Sequence, residues 1–390
     1  MYRIQTLNKI SSAGLELFPR DGYEIASEIG HPDAVLVRSQ KMHDMEIPGT
    51  VMAIGRAGAG VNNIPVDRCS ERGVVVFNTP GANANGVKEL VLTGLFLSSR
   101  RVTEGIAWAR SLSGKGAEVP VMVEKNKSQF AGPEIKGKKL GVIGLGAIGV
   151  MVANDAEALG MEVVGYDPFI SVEAAWGLSR NVRRALSLDS LVAEVDYLTI
   201  HTPLTDKTKG ILNRDRFALM KKGVRLLNFA RGGLVNNEDL IGALSDGIVS
   251  VYVTDFPDDD LVGLEGVIPI PHLGASTPEA EENCARMAVS QLRDYLEHGN
   301  IRNSVNFPAC EMPWTGQNRI VVANRNVPNM VGQITTVLAG HKTNINDMLN
   351  KSRQNVAYNI IDVDGDVGDE VLDQIRAIDG VIMTRLIRCQ

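Results

Sequence analysis

Apolar residues in this chain come in short runs separated by helix-like stretches. IQTL near the start, AVLVRS (34–39), VMAIGRAGAG (51–60) and VVVFNTP (74–80) read as strands. A helical segment over roughly 86–109 follows, then the polar stretch GKGAEVPVMVEKNKSQFAGPEIKGKK. The alternation resumes at KLGVIGLGAIG, and further strands are predicted at VDYLTIHTPL (195–204), GVRLLNFARGG (223–233), SVYVTDFP (250–257) and GVIPIPHLGAS (266–276). Such alternation predicts α/β architecture with parallel, doubly wound sheets, one of which begins in mid-chain.

The segment PEAEENCARMAVSQLRDYLEHGN predicts a helix, with carboxylates in its first turns where they favour the dipole and Gly-Asn at its end. NSVNFPACEMPWTGQN has two prolines and little periodicity, and reads as a linker. Beyond it the pattern spells βαββαβ, with helices at about 330–340 and 368–378. That is a ferredoxin-like unit, long enough to fold alone, although such small sheets often pair to complete their burial.

Residues 139–167, KLGVIGLGAIGVMVANDAEALGMEVVGYD, place a strand, a glycine-rich turn, an amphipathic helix and a second strand ending on an acid. This is the build of a dinucleotide site. Gly144 allows a tight turn, Gly146 admits a pyrophosphate, Gly149 lets helix and strand pack closely, and the helix N-terminus offers N–H groups to phosphate oxygens. Asp167 lies where a carboxylate accepts from the ribose hydroxyls; it would repel a 2′-phosphate, which favours NAD over NADP.

At 390 residues the chain is long enough for two or three domains. A net charge of −6 gives no electrostatic reason to expect nucleic acid or an anionic membrane as partner. Cys69, Cys284, Cys310 and Cys389 are far apart with no CxxC pair, so neither a metal site nor a disulfide scaffold is expected. The first residues lack the apolar core of a signal peptide and no apolar run is long enough to span a membrane, so the expected location is the cytoplasm.

Arg231, in FARGG at a strand end, can clamp a carboxylate and polarise an adjacent carbonyl. His272, in PHLGAS at another strand end, can exchange a proton near neutral pH, as hydride transfer to or from a hydroxyl carbon requires. Between them, TDFPDDD supplies acids, one of which could fix the tautomer of the imidazole and favour its protonated form.

GLGAIG with Asp167, HTPL (201–204), NFARGGLV (228–235), VTDFP (253–257) and PHLGAST (271–277), in this order, resemble the D-isomer-specific 2-hydroxyacid dehydrogenases along essentially the whole chain. The resemblance implies two Rossmann-like lobes and a C-terminal ACT-like module. The substrate lobe would comprise 1–98 and 287–312, the NAD lobe 99–286, a linker 313–317 and the module 318–390, with the active site in the cleft between the lobes. It implies Arg231 on the substrate carboxylate and carbonyl, and His272 as acid/base. An acid pairs with that histidine, here Asp259, with Asp258 and Asp260 left open. NAD contacts are implied at Thr79, Gly144, Gly146, Ala147, Ile148, Gly149, Asp167, Thr202, the Phe229 carbonyl, Asp255, His272, Gly274 and Ala275, with Asp255 facing the nicotinamide carboxamide. RAGAGVNNI (56–64) matches the family's substrate loop: the N–H groups of Ala59 and Gly60 would hold the carboxylate and Arg56 a phosphate, assisted by Arg38, Lys41 or Lys127. Asn326 and Asn344 resemble positions that bind L-serine as an effector in related enzymes. The implied activity is oxidation of a phosphorylated D-2-hydroxy acid by a homodimer or homotetramer. Another 2-hydroxy acid, or a non-catalytic NAD-sensing role, is the alternative.

Overall fold

Strands and helices in the computed structural model, which describes residues 1–388, follow most of the apolar runs. The chain divides into two units: Met1–Asn83 together with everything from Pro278 onward, and Ala84–Thr277. The first unit opens with β1 (Tyr2–Leu7), α1 (Ser12–Leu15), β2 (Tyr23–Ala26), β3 (Ala34–Val37), β4 (Ala53–Arg56), α2 (Val66–Glu71) and β5 (Val75–Phe77). These strands form a parallel sheet in the order β2-β1-β3-β4-β5. β2, with the sequence YEIA, carries no continuous apolar run and is invisible to the hydrophobic pattern.

The second unit contains α3 (Ala84–Ser99), α4 (Val102–Ser111), α5 (Val119–Asn126), β6 (Lys139–Ile143), α6 (Ala147–Ala158), β7 (Glu162–Tyr166), α7 (Val172–Gly177) and β8 (Arg183–Arg184). It continues with α8 (Leu188–Glu194), β9 (Tyr197–Ile200), α9 (Arg214–Leu219), β10 (Val224–Asn228), α10 (Asn237–Ser245), β11 (Val249–Thr254) and β12 (Val267–Pro269). Its sheet runs β12-β11-β10-β9-β6-β7-β8, parallel throughout. Strand order reverses between β6 and β9, so the crevice beyond their carboxyl ends is where such a sheet holds a ligand.

The helix predicted over 86–109 is two helices. Near its middle the Ser98 carbonyl accepts from Arg225 Nε at 2.8 Å, and the Ser99 hydroxyl bonds both the Leu95 carbonyl and the Tyr197 hydroxyl. These polar ties to the sheet compete with helix propagation, and the chain breaks at Arg100–Arg101. The same helix moves a unit boundary. α3 packs on the second sheet, where a Cβ on Gly94 would come within 2.9 Å of the Phe229 ring, and Lys88 pairs with Asp155 of α6 at 2.8 Å. The division therefore falls at 83/84 rather than 98/99. It falls at 277/278 rather than 286/287 because the next helix, α11 (Pro278–His298), stays whole and presses Ala285 against Gly14.

The chain ends with β13 (Asn318–Arg325), α12 (Met330–Gly340), β14 (Ile345–Arg353), β15 (Val356–Val363), α13 (Asp369–Arg376) and β16 (Val381–Arg388). This is the βαββαβ order the pattern predicts, in an antiparallel sheet β14-β15-β13-β16. One face, with Ile320, Val322, Ile361 and Val363, is covered by Ile334, Leu338, Leu372 and Ile375 of its own helices. The other, with Val321, Ala323, Tyr358 and Ile360, shares a core with Leu292, Tyr295 and Phe307. The tail thus completes its burial within its own unit. The expected linker is part of the joint: Arg319, fully buried, donates to Asp362 at 2.6 and 2.8 Å and to the carbonyls of His298 and Pro313 at 2.9 Å each. Thr315 adds its N–H and hydroxyl to the same carboxylate. Cys389 lies outside the described residues.

Candidate active site

The glycine-rich turn joins β6 to α6 at the point of strand reversal. Gly144 has φ +90°, and a Cβ there would stand 2.8 Å from the His201 carbonyl oxygen. Both conditions exclude a side chain. A Cβ on Gly149 would fall 1.9 Å from the Gly144 carbonyl oxygen, so helix and turn touch backbone to backbone. At Gly146 the opposite holds: nothing lies within 4 Å of where a Cβ would be. Gly146 caps α6 without a side-chain hydrogen bond, leaving the first N–H groups, including those of Ala147 and Ile148, directed at this open side. Asp167, at the end of β7, accepts from the N–H of Leu145 and of Phe169 at 2.8 Å each, which fixes its carboxylate beside the turn.

β9 leads directly into His201 and Thr202. Burial pushes the His201 imidazole down to about 3, so the ring is neutral at ordinary pH. Its Nε2 bonds Thr199 Oγ1 at 3.0 Å, the backbone N–H of His201 donates to the Ile143 carbonyl at 2.7 Å, and the His201 carbonyl backs Gly144. In the sequence HTPL points to Thr202 alone, and a histidine directly after the run YLTI is the signal for His201.

At the ends of β10 and β11 stand Arg231 and Asp255. Asn228, 1% exposed, donates to the Arg231 carbonyl at 2.9 Å and accepts from the Ala230 N–H at 3.2 Å, pinning the FARGG loop from both sides. The Phe229 side chain is buried against Gly94, where it fixes the backbone that carries its carbonyl. The Arg231 guanidinium lies over the Phe256 ring at 6.0 Å, and the His272 ring packs on the same Phe256 with centroids 4.6 Å apart. Phe256 therefore gathers the two groups named from sequence, although it was not itself named. Asp255 is buried, and burial raises its pKa against the opposing fields of His272 and Arg231 and an N–H bond from Gly274 at 3.4 Å. Gly274 and Ala275 follow in the loop whose Gly274 carbonyl abuts Gly86 of α3.

The acids of the 258–260 turn, expected beside the imidazole, face a side-chain partner or solvent. Asp258 accepts from Asn237 Nδ2 at 2.7 Å, while Asp259 and Asp260 are exposed. The turn after Pro257 faces them outward because the N–H groups of Leu261 and Val262 both close on the Asp258 carbonyl and the Leu261 side chain is buried.

In the first unit, the loop after β4 carries Arg56, Ala59 and Gly60. Arg56 Nε donates to the Arg38 carbonyl at 3.1 Å, and its guanidinium fills the space beside Gly58 where a Cβ would sit only 1.7 Å from Nη1. Asn78 Nδ2 holds the Ala59 carbonyl at 2.6 Å, and the buried Thr79 donates its N–H to the Gly58 carbonyl at 3.1 Å. Arg38 is ion-paired with Glu281 at 2.6 Å, and Lys127, in the second unit, with Glu124.

The tail asparagines are not together. Asn326 follows the end of β13 and donates to the Gln354 carbonyl at 3.0 Å, whereas Asn344 precedes β14 and donates to Asn346 at 3.0 Å. In the sheet Arg325 is level with Val356, but Ile345 is level with Val363, so the two lie at opposite ends of β15, about 20–25 Å apart. One small molecule cannot bridge them within a single chain.

The second unit fits NAD on its own geometry. Gly146 leaves room for a pyrophosphate, and the buried Thr202 Oγ1 and Asp255 Oδ1 have no hydrogen-bond partner among the described residues. Such atoms at strand carboxyl ends are suited to a polar ligand. No helix among the described residues is long and apolar enough to cross a membrane, and no group of three or more His, Cys, Asp or Glu among them could hold a metal.

Residues 94–274 match the family model of the D-isomer specific 2-hydroxyacid dehydrogenase NAD binding domain. The chain is 36% identical over 294 residues to a D-3-phosphoglycerate dehydrogenase of Methanocaldococcus jannaschii, covering 73% of this chain and 54% of the relative. It is 34% identical over 333 residues to that of Bacillus subtilis, covering 79% and 60%. The chain thus spans little more than half the length of these curated relatives. Among solved structures, NAD+-bound 3-phosphoglycerate dehydrogenase of Entamoeba histolytica aligns with a TM-score of 0.60 at 26% identity, over 78% of this chain and 98% of that one. The matched segment holds the glycine turn, Asp167, Arg231, Asp255 and His272 at the strand ends of one sheet, and residues 94–274 belong to the NAD binding domain family of the D-isomer-specific 2-hydroxyacid dehydrogenases.

Proposed function

We propose that the protein oxidises D-3-phosphoglycerate to 3-phosphohydroxypyruvate with NAD, the entry step of serine synthesis. The observation that carries this reading is the gathering of Arg231 and His272 around Phe256, at the strand ends of a sheet built for NAD. NAD, when bound, accepts the hydride from C2. Arg231 orients the substrate carboxylate and polarises the C2 oxygen. Neutral His272 takes the hydroxyl proton, and in reduction imidazolium returns it. Asn228 keeps Arg231 in register by holding its carbonyl. Thr202 and Asp255 offer unpartnered oxygens to the nicotinamide end, Gly146 to Gly149 receive the pyrophosphate and Asp167 the ribose. Substrate contacts from the N–H groups of Ala59 and Gly60 and from the Arg56 guanidinium complete the assignment, with Arg56 on the phosphate.

The names of the curated relatives support phosphoglycerate as substrate, and the βαββαβ tail supports an ACT-like module. If L-serine acts there, the separation of Asn326 from Asn344 requires two tails side by side, each contributing one asparagine. The effector role then implies an oligomer, in a cytoplasmic setting. The test is NADH production from D-3-phosphoglycerate and from D-glycerate by the intact chain and by Arg231→Ala, His272→Asn and Arg56→Ala, each with and without L-serine. The first two variants should lose turnover on both substrates, and Arg56→Ala on the phosphorylated one alone. Absence of turnover with either acid, in a chain that binds NAD, refutes the proposal.

A further inference from the structure

We propose that Asn78 is a positioning residue for the substrate: its side chain aims a backbone N–H of the 58–60 loop at the substrate carboxylate. This rests on the reading of Ala59 and Gly60 as the carboxylate's donors, and names what holds them. No peptide bond among the described residues is cis, so in each peptide unit the C=O and the next residue's N–H point in opposite directions. Holding a carbonyl on one side therefore directs that N–H to the other. Asn78 and Thr79, directly after β5, hold two successive carbonyls. The Thr79 N–H donates to the Gly58 carbonyl at 3.1 Å, which turns the Ala59 N–H away from them. Asn78 Nδ2 donates to the Ala59 carbonyl at 2.6 Å, which turns the Gly60 N–H away likewise. Neither of these N–H groups has a hydrogen-bond partner among the described residues. Successive free N–H groups of this kind form an anion-binding concavity.

The two anchors differ in kind. Thr79 acts through its backbone, which any residue except proline supplies, whereas the second carbonyl is reached by a side chain. The peptide between Ala59 and Gly60 is also the one that most needs holding. Turning it over rotates ψ of Ala59 and φ of Gly60, and Gly60, with no Cβ, opposes that rotation little. Turned over, it would offer the substrate carboxylate a carbonyl oxygen in place of a donor. A carbonyl that accepts a hydrogen bond also polarises its peptide unit, so the Asn78 bond strengthens the Gly60 N–H while aiming it. Asn78 is itself fixed from both sides. Its N–H donates to the Asn303 carbonyl at 3.3 Å, and its carbonyl accepts from Gln291 Nε2 at 3.0 Å. Gln291 stands on α11, 6% exposed, and its Oε1 has no partner among the described residues, so its amide serves Asn78 alone.

The experiment compares wild type with Asn78→Leu, which keeps the shape and loses the donor, and with Gln291→Leu, which removes the support behind it. Kinetics are measured with D-3-phosphoglycerate and D-glycerate, which present the same carboxylate. Asn78→Leu should raise KM for both about tenfold with kcat and NAD affinity little changed, the split expected when ground state and transition state lose the same contact. Gln291→Leu should raise both about threefold. Arg56→Ala, by contrast, should act on the phosphorylated acid alone. A second measurement needs no turnover. The Gly60 amide signal, seen by glycine-selective isotope labelling and identified by its loss in Gly60→Ala, is followed by NMR as oxamate is titrated into the NADH-loaded protein. It should shift in wild type, and in Asn78→Leu only at about tenfold higher oxamate. Wild-type KM values or a wild-type oxamate titration in Asn78→Leu overturn the proposal. If that variant does not fold, unchanged KM values in Gln291→Leu overturn it instead. A Gly60 signal that oxamate leaves unmoved in wild type overturns the carboxylate site and the proposal with it. A signal that moves as expected in a chain that turns over neither acid refutes the activity and supports the positioning.

Discussion

Two alanine substitutions three residues apart should separate folding from cofactor binding in the glycine-rich turn. In Gly149→Ala the new Cβ would meet the Gly144 carbonyl oxygen at 1.9 Å and its carbonyl carbon at 3.0 Å. Both are backbone atoms of a turn that cannot swing aside, because Gly144 is itself backed by the His201 carbonyl. Helix α6 must then move off β6 by more than an ångström, an overpacking cost of about 3 kcal/mol. Replacing glycine inside a helix returns about 1 kcal/mol, so the net loss is about 2 kcal/mol. For a unit of this size that lowers Tm by roughly 4–8 °C. In Gly146→Ala the Cβ enters open space at an extended φ of −79° and ψ of −162°, so stability should stay within about 0.5 kcal/mol. The methyl would occupy the approach of the pyrophosphate, and NAD affinity should fall at least about tenfold, costing about 1.4 kcal/mol of binding. Calorimetric melting and isothermal titration with NAD on both variants give the four numbers. Unchanged NAD affinity in Gly146→Ala would refute the phosphate cradle, and a wild-type melt for Gly149→Ala would refute the backbone contact.

Further outcomes follow from the buried polar groups. Asp362→Asn leaves the Arg319 guanidinium fully buried without its counter-charge and should cost about 3 kcal/mol in urea unfolding, whereas Arg319→Met with Asp362→Leu together should cost less than the sum of the single changes; a single-variant loss under about 1 kcal/mol would contradict the burial described. His201 sits well below the ordinary histidine value in the folded chain, so its contribution is complete above pH about 6.5 and is lost as pH falls towards about 3, where the unfolded chain binds a proton that the folded one refuses. At pH 5 the loss is about 2 kcal/mol, and the stability of His201→Asn should fall less steeply from pH 7 to 5 than that of the parent.

How much of this could be read beforehand depended on whether the backbone or a side chain set the outcome. The glycines of the turn were legible because two stand for backbone conditions that only glycine meets, positive φ at Gly144 and a backbone contact at Gly149, and the third, Gly146, stands for an open face. Strand ends were legible for the same reason, since apolar runs stop where the chain leaves the sheet, and this located Arg231, Asp255 and His272. The division between units was not, because a helix shows which positions are apolar but not which sheet they cover. α3 could cover either sheet, and it is Gly94 against Phe229 and Lys88 on Asp155 that assign it. The joint of the tail was likewise hidden: Arg319 and Asp362 stand on strands otherwise rich in apolar residues, and neither names its partner 43 positions away.

The choice of acid was the least legible step, and it shows where spacing ceases to inform. The resemblance implies Asp259 beside the histidine, with Asp258 and Asp260 open, but position along a loop transmits little about direction when the loop closes on itself. The N–H groups of Leu261 and Val262 both turn onto the Asp258 carbonyl, and the buried Leu261 anchors that turn, which sends Asp259 outward. Asp255 has less of this freedom because it directly follows β11, is buried, and accepts from the Gly274 N–H at 3.4 Å. A carboxylate at a strand end has its direction fixed by the pleat, while one three or four residues later has it fixed by whichever apolar neighbour finds the core.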